Sequence, residues 1–406
     1  MKEHIFRPTN VLLPEGVSME KWSVVACDQF SSEHDYWERV QEIVEQAPST
    51  LSMIIPEAFL EDIDEEQETK KISETMAAYL AKGLFKEIPN SYVYVQRTQP
   101  DGRIRHGIVG AMNLDEYDFA TTTTPIRASE GTVLDRLPPR IKIRRMASLE
   151  LPHIMTFIDD ADDLVLGPLA KKAESLPVLY DFDLMEGGGH IKGMMVTGAD
   201  AEKVMEAIQT LNEKNDMLMV IGDGNHSLAA AKVYWDEIKK TLSEDERQKH
   251  PAGYALVEVN NVYDKAIDFE AIHRIAFDVS PKEFISAMEK AMKPGSDYIV
   301  HWVTKDGEGQ IGIAADCIGD MLTEVQKFLD EYAENPGCRI DYIHGEDSVR
   351  KLAYSENAVG LILPAMEKAD LFDTVAVSGV FPKKSFSVGH ARDKRYYLEC
   401  RKITIH

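Results

Sequence analysis

A chain of 406 residues can bury a large core, and its length favours two domains. With 45 Lys+Arg against 69 Asp+Glu, the net charge of -24 opposes attraction to DNA, RNA or an anionic membrane, which excludes nucleic acid and membrane as main partners. A basic pocket for a small anion is still allowed, because distant acids are screened beyond about 8 Å at physiological ionic strength. Cys27, Cys317, Cys338 and Cys400 form no C-x-x-C pair. No zinc, haem or flavin signature is present, and no stretch approaches the ~20 apolar residues of a spanning helix. A soluble, cytoplasmic protein with free thiols is expected.

Along the chain, helical and extended patterns alternate, which predicts an α/β to α+β fold of mixed sheets with flanking helices. Trp22 to Ala26 reads as a strand, and Ser32 to Gln46 as a helix capped by Ser31 or Ser32. Acidic residues 61–68 lead into a helix over 71–82. Gln99-Pro100-Asp101-Gly102 predicts a tight turn joining strands 91–98 and 103–112. Arg140, Lys142, Arg144 and Arg145 alternate as on an edge strand, where they serve as a basic patch or as protection against unwanted pairing. Gly187-Gly188-Gly189 reads as a hairpin tip between 178–185 and 190–196. A boundary near 198/199 divides an N-terminal α/β region, 1–198, from a C-terminal one, 199–406, unless the two are intertwined. After a helix over 200–212 comes the apolar run Met217 to Ile221, a central strand too short for a helix. Further strands follow at 254–259, 298–304, 310–314, around 340 and 359–363, with helices at 281–292 and 321–333. A last strand is expected over 395–404.

The turn Gly222-Asp223-Gly224-Asn225-His226 joins the central strand to a helix over 226–240. Backbone N–H groups and the positive end of a helix dipole meet at such a turn, and an anion binds well there. Gly222 and Gly224 permit unusual backbone conformations and close ligand approach. Asp223 can act as a general base or hold a metal ion, and His226 can donate to a phosphoryl oxygen or shuttle a proton. Asp223 and Asn225 serve equally well as turn and cap residues. The spacing is not that of a Walker A loop.

The turn resembles that of a prokaryotic family known as domain of unknown function 1015, which carries Asp-Gly-His-His-Arg where this chain has Asp223, Gly224, Asn225, His226 and Ser227. Other matching segments are Arg127-Ala128-Ser129-Glu130 with Asp135-Arg136, His273-Arg274, Phe381-Pro382-Lys383-Lys384-Ser385, and Ala26-Cys27-Asp28, which is similar to the family's Pro-Tyr-Asp element. That family in turn resembles the ParB and sulfiredoxin fold, which includes a free-serine kinase. The resemblance implies a ParB/sulfiredoxin-like core and nucleotide-dependent phosphotransfer, with ATP or ADP and Mg²⁺, to a small hydroxyl-bearing metabolite such as an amino acid. Asp223 and His226 would be catalytic, with Mg²⁺ reaching the site through Asp223. Gly222, Gly224, Asn225, Ser227, Arg127, Arg136, Lys383 and Lys384 would bind phosphate, and Asp28, Glu130, Asp135, Asn260, His273, Arg274 and Ser385 would support the substrate. Asn225 and Ser227 replace the family's His and Arg, and a hydroxyl cannot make a guanidinium's bidentate contacts. The rival reading is therefore a noncatalytic sensor of a nucleotide or phosphometabolite. The adjacent carboxylate of Asp28 argues against a reactive Cys27 thiol. His153, His190, His301, His344 and His390 show no metal-ligand spacing.

Overall fold

The computed structural model describes residues 4–120, 123–134 and 137–405. It is a mixed α/β structure that divides into two compact units. The first comprises residues 1–128, 132–267 and 390–406, and the second comprises 129–131 and 268–389. Position 198/199 lies inside the first unit, at the start of the Gly198–Lys214 helix.

The first unit is built on an eleven-stranded sheet. Its main path runs through Tyr117–Asp118, Ile126–Ala128, Met219–Asp223, Met155–Ile158, Tyr254–Asn261, Ile104–Asn113, Phe85–Thr98, Gly189–Val196 and Val178–Leu184. Successive residues of a strand face opposite ways, and the Phe85–Thr98 strand shows it: Tyr92 and Tyr94 enter one core, Val93 and Val95 the other. Helices cover both faces. Ala201, Val204, Ile208 and Leu211 of the Gly198–Lys214 helix recur at helical spacing in the first core, as do Leu228, Ala231 and Trp235 of the Asn225–Ile238 helix. Tyr36, Trp37, Val40 and Val44 of the His34–Val44 helix fill the second.

The second unit has a six-stranded sheet whose main path is Gly307–Ile313, Pro294–Thr304, Ala358–Ile362, Phe269–Phe277 and Arg339–His344, with Phe386–Val388 paired to Phe269–Phe277. Val349 and Ala353 of the Glu346–Ala353 helix pack on Ile275, Val303 and Ile362.

Several local expectations change. Residues 19–22 form a short helix, and the extended backbone that follows pairs through an isolated bridge of Val25 with Tyr396. The helix over 34–44 has Glu33 at its cap position with no side-chain cap bond, so neither Ser31 nor Ser32 caps it. The basic residues 140–145 belong to the helix Leu137–Met146 rather than to an edge strand. Prolines 138 and 139 sit in its first turn, where a missing N–H costs nothing. The last expected strand is interrupted: Arg401–Lys402 pairs with Leu149–Glu150, while Tyr396 and Cys400 make isolated bridges to Val25 and Leu12. No helix among the described residues is long and apolar enough to cross a membrane.

Candidate functional site

The Met219–Asp223 strand lies between two partners, parallel to Ile126–Ala128 and antiparallel to Met155–Ile158. Its register with the latter shifts between Ile221 and Asp223, an irregularity that re-aims the strand end. Gly222 meets this local need directly, since a Cβ there would collide with the Phe157 ring. Gly224 is left-handed, with φ of +80°, and a Cβ on it would lie 3.0 Å from Ile154 Cα. It is the N-cap of the Asn225–Ile238 helix and makes no side-chain cap bond. Both glycines are thus accounted for by packing and backbone conformation.

Asp223 Oδ1 accepts the Gly224 N–H at 3.0 Å. Its Oδ2 is buried, makes no hydrogen bond, and lies 3.5 Å from Lys394 Nζ. His226 Nε2 accepts the Val133 N–H at 3.3 Å, so neutral His226 carries its proton on Nδ1. Ser227 Oγ lies 3.2 Å from His153 Nε2, and His153 Nδ1 lies 3.0 Å from the Tyr397 hydroxyl, which also accepts the Cys27 N–H. Burial alone would raise the Asp28 carboxyl. The charge of His153, a hydrogen bond from Gln29 and the charge of Lys394 overcome it and hold that carboxyl below its ordinary value. The Cys27 thiol is pushed up to about 12 by burial and by Asp28, which makes it a poor nucleophile.

Lys394 and Tyr397 are placed by the buried side chain between them. Arg395 pairs with Glu258 and, at 2.6 Å, with Glu399, whose other oxygen accepts the Tyr180 hydroxyl at 2.6 Å. Asn260 Nδ2 donates to Glu258 at 3.0 Å and to the His106 carbonyl, so this asparagine belongs to the buried network.

Of the residues singled out in the sequence, Gly222, Asp223, Gly224, Asn225, His226, Ser227, Asp28 and Asn260 share the first unit with Arg127. Arg127 is buried in the Ile126–Ala128 strand, its Nε bonded to the Thr124 carbonyl at 2.9 Å. Glu130, His273, Arg274, Lys383, Lys384 and Ser385 belong to the second unit. There the Arg274 guanidinium is buried, bonded to Gln326 and the Ile272 carbonyl and stacked 4.5 Å from the Tyr342 ring centre; burial lowers it to about 10. His273 accepts the Leu363 N–H, and burial lowers its imidazole. Ser385 Oγ donates to the Pro382 carbonyl, Lys384 lies over the Tyr342 ring, Lys383 is exposed, and Glu130 bridges Phe381. Asp135 and Arg136 lie outside the described residues. His153, Lys394 and Tyr397 were not singled out for the site. The one hint of them was the dense charge of the segment from Arg392 to Arg395.

A search of curated proteins found no match. Solved structures similar to this chain include a C-terminally truncated SbnI from Staphylococcus aureus, 8% identical over 70% of this chain and 82% of that one, with a TM-score of 0.37. A free serine kinase mutant in complex with AMP is 11% identical over 75% and 93%, at 0.41, and a conserved hypothetical protein from Pyrococcus furiosus is 11% identical over 73% and 95%, at 0.35. TM-scores this low carry no argument. The model of the family described as Protein of unknown function (DUF1015) matches residues 8–390, and with the turn and its flanking segments already pointing the same way, the chain belongs to that family.

Proposed function

We propose that the protein is a nucleotide-dependent phosphotransferase acting on a small hydroxyl-bearing metabolite, in the manner implied by the resemblance to the ParB and sulfiredoxin fold. The observation that carries this reading is the state of Asp223. One of its oxygens shapes the turn, while the other is buried without a hydrogen bond beside Lys394, at the start of the Asn225–Ile238 helix. Such an oxygen suits a proton in transfer or a cation, and the helix start suits an anion.

ATP or ADP with Mg²⁺ fits these residues. The Gly224 to Ser227 turn would hold the phosphates, and Mg²⁺ would travel with them, with Asp223 as its protein ligand. Among the described residues no group of three or more His, Cys, Asp or Glu is gathered as a metal site. Bound there, the metal would supply neutralisation of the charge that builds on the transferring group. The chain's own residues do the positioning. Asp223 Oδ2 serves either as base for the acceptor proton or as the metal's ligand, Lys394 Nζ steadies that carboxylate, and His226 faces the phosphoryl oxygens. A noncatalytic sensor is favoured by one observation: Ser227, in place of the family's Arg, is engaged by His153 and brings no cation.

The test is a thermal-shift screen of ATP, ADP and CTP with and without Mg²⁺, followed by release of ADP from ATP, or of AMP from ADP, with a panel of hydroxyl compounds. Nucleotide should raise the melting temperature by mass action. Asp223→Asn should lose about 10²-fold or more in turnover and keep nucleotide binding. A shift with no turnover in the unmodified protein selects the sensor, and no shift with any nucleotide sinks the phosphotransferase reading.

A further inference from the structure

Next to the turn, the first unit has a solvent-open cavity of about 430 Å³ whose wall includes Ser227, His153 and Tyr397. That volume falls within the ~300–1,000 Å³ of sites for small organic ligands. Most of the wall is apolar, with Met53, Ile54, Ile55, Leu60, Ile143 and Leu151 contributing.

The polar part of the wall is selective. Its two guanidinium groups are already engaged: Arg140 pairs with Glu57, and Arg144 pairs at 2.6 Å with Glu150, which also holds Arg401. A ligand carboxylate would therefore compete with Glu57 or Glu150 for its counter-ion. At the Ser227 end the hydrogen-bonding groups stand in a row, Ser227 Oγ to His153 Nε2 at 3.2 Å and His153 Nδ1 to Tyr397 at 3.0 Å, and the carboxylate of Asp28 already acts on His153. The Ser227 hydroxyl has one O–H to donate and two lone pairs to accept with. A hydroxyl, which both donates and accepts, can join that row, whereas a carboxylate can only accept.

We infer that this cavity binds a neutral alcohol with an apolar body, its hydroxyl seated at Ser227 and His153. Resting on the phosphotransfer reading, such an alcohol is the acceptor class. A free amino acid fits poorly, because it leaves the apolar wall uncovered and brings a carboxylate to a wall whose guanidinium groups are taken.

The experiment is calorimetric titration of the full chain, without nucleotide, using 6-phenyl-1-hexanol, 6-phenylhexanoate and L-serine. The alcohol should bind saturably, the carboxylate at least tenfold more weakly, and serine without saturation. Leu60→Glu, at a position 43% exposed, should weaken alcohol binding at least tenfold with an unchanged melting temperature. Ile55→Glu, at a half-buried position, should weaken alcohol binding as much while lowering the melting temperature. Ser227→Ala should weaken the alcohol several-fold and leave the carboxylate unmoved. Absence of alcohol binding, equal binding of alcohol and carboxylate, or unchanged binding in Leu60→Glu overturns the inference. Alcohol binding without release of ADP from ATP or of AMP from ADP refutes phosphotransfer to this class and leaves the cavity assignment standing. ADP release with other acceptors and no alcohol binding does the reverse.

Discussion

Arg395→Met tests whether the buried ionic cluster sets the geometry of the site. Arg395 is 3% exposed and spans two carboxylates, Glu258 and Glu399, which are each 1% exposed. Removing one member of such a cluster leaves charge uncompensated in a poorly solvated place, which costs about 3–5 kcal/mol. Here the lower end applies. Glu399 keeps the Tyr180 hydroxyl at 2.6 Å, and Glu258 keeps Asn260 at 3.0 Å and Arg105 at 3.8 Å. A loss of about 3 kcal/mol lowers the urea midpoint by about 1 M for a slope near 3 kcal/mol/M. Tryptophan fluorescence reads it well, since Trp22, Trp37 and Trp235 lie in the first unit and only Trp302 in the second. The same variant should loosen Lys394 and Tyr397 and weaken alcohol binding at Ser227. Adding Glu399→Gln should recover part of the loss, a coupling above about 0.5 kcal/mol being the signature of direct contact. A destabilisation under about 1 kcal/mol, or strict additivity, would refute the view that this cluster holds the segment in place.

Acid should destabilise the first unit in a defined window. Burial raises the carboxyls of Glu258, Glu150 and Asp28, yet Arg395 and Arg105, Arg401 and Arg144, and His153 respectively bring them below their ordinary values. Their stabilisation is full above the unfolded values near ~4 and is lost as the pH falls through the lower folded ones. A melting temperature that holds steady from pH 7 down to 3 would contradict this. Gly222→Ala should cost about 1–3 kcal/mol through overlap with Phe157, and Phe157→Leu should return part of it in a denaturation experiment. Gly224→Ala should cost about 1–2 kcal/mol for its left-handed backbone, with no rescue by Phe157→Leu. Cys27 should react with iodoacetamide at pH 8 about a thousandfold more slowly than a free thiol, because its value near 12 leaves little thiolate. Mass spectrometry of the labelled peptide checks this, and a rate near that of a free thiol would refute it.

Legibility in the sequence followed the range of the interactions involved. The 91–98 and 103–112 hairpin, the Met219–Asp223 strand and the turn after it are local patterns, and each is where its residues point. The Leu137–Met146 helix was misread because alternating charges carry a period of two as readily as part of a helical surface. Arg140 and Arg144, four apart, take partners as far away as Glu57 and as near as Glu150. Burial of charge leaves no trace in composition, so Arg395, Glu258 and Glu399 look like surface residues in the sequence. The site residues that escaped notice are joined across long separations, His153 to Ser227 over 74 positions and to Tyr397 over 244.

Ser227 shows how the local and the distant meet. By sequence alone it is a loss, a hydroxyl where the family's turn has an arginine. In the structure that hydroxyl is the first link of a hydrogen-bonded row through His153 to Tyr397, lining a cavity with an apolar wall. An arginine there would place a charge against His153 and beside that wall, at a desolvation cost that no free carboxylate of the row would offset. Under the proposed function, the replacement fits a site in which the backbone of the turn would hold the phosphates and the side chain would serve the acceptor. Ser227→Arg separates the two roles: it should strengthen nucleotide binding and abolish alcohol binding. A variant that lost both, while melting like the parent protein, would show that Ser227 belongs to the phosphate subsite after all.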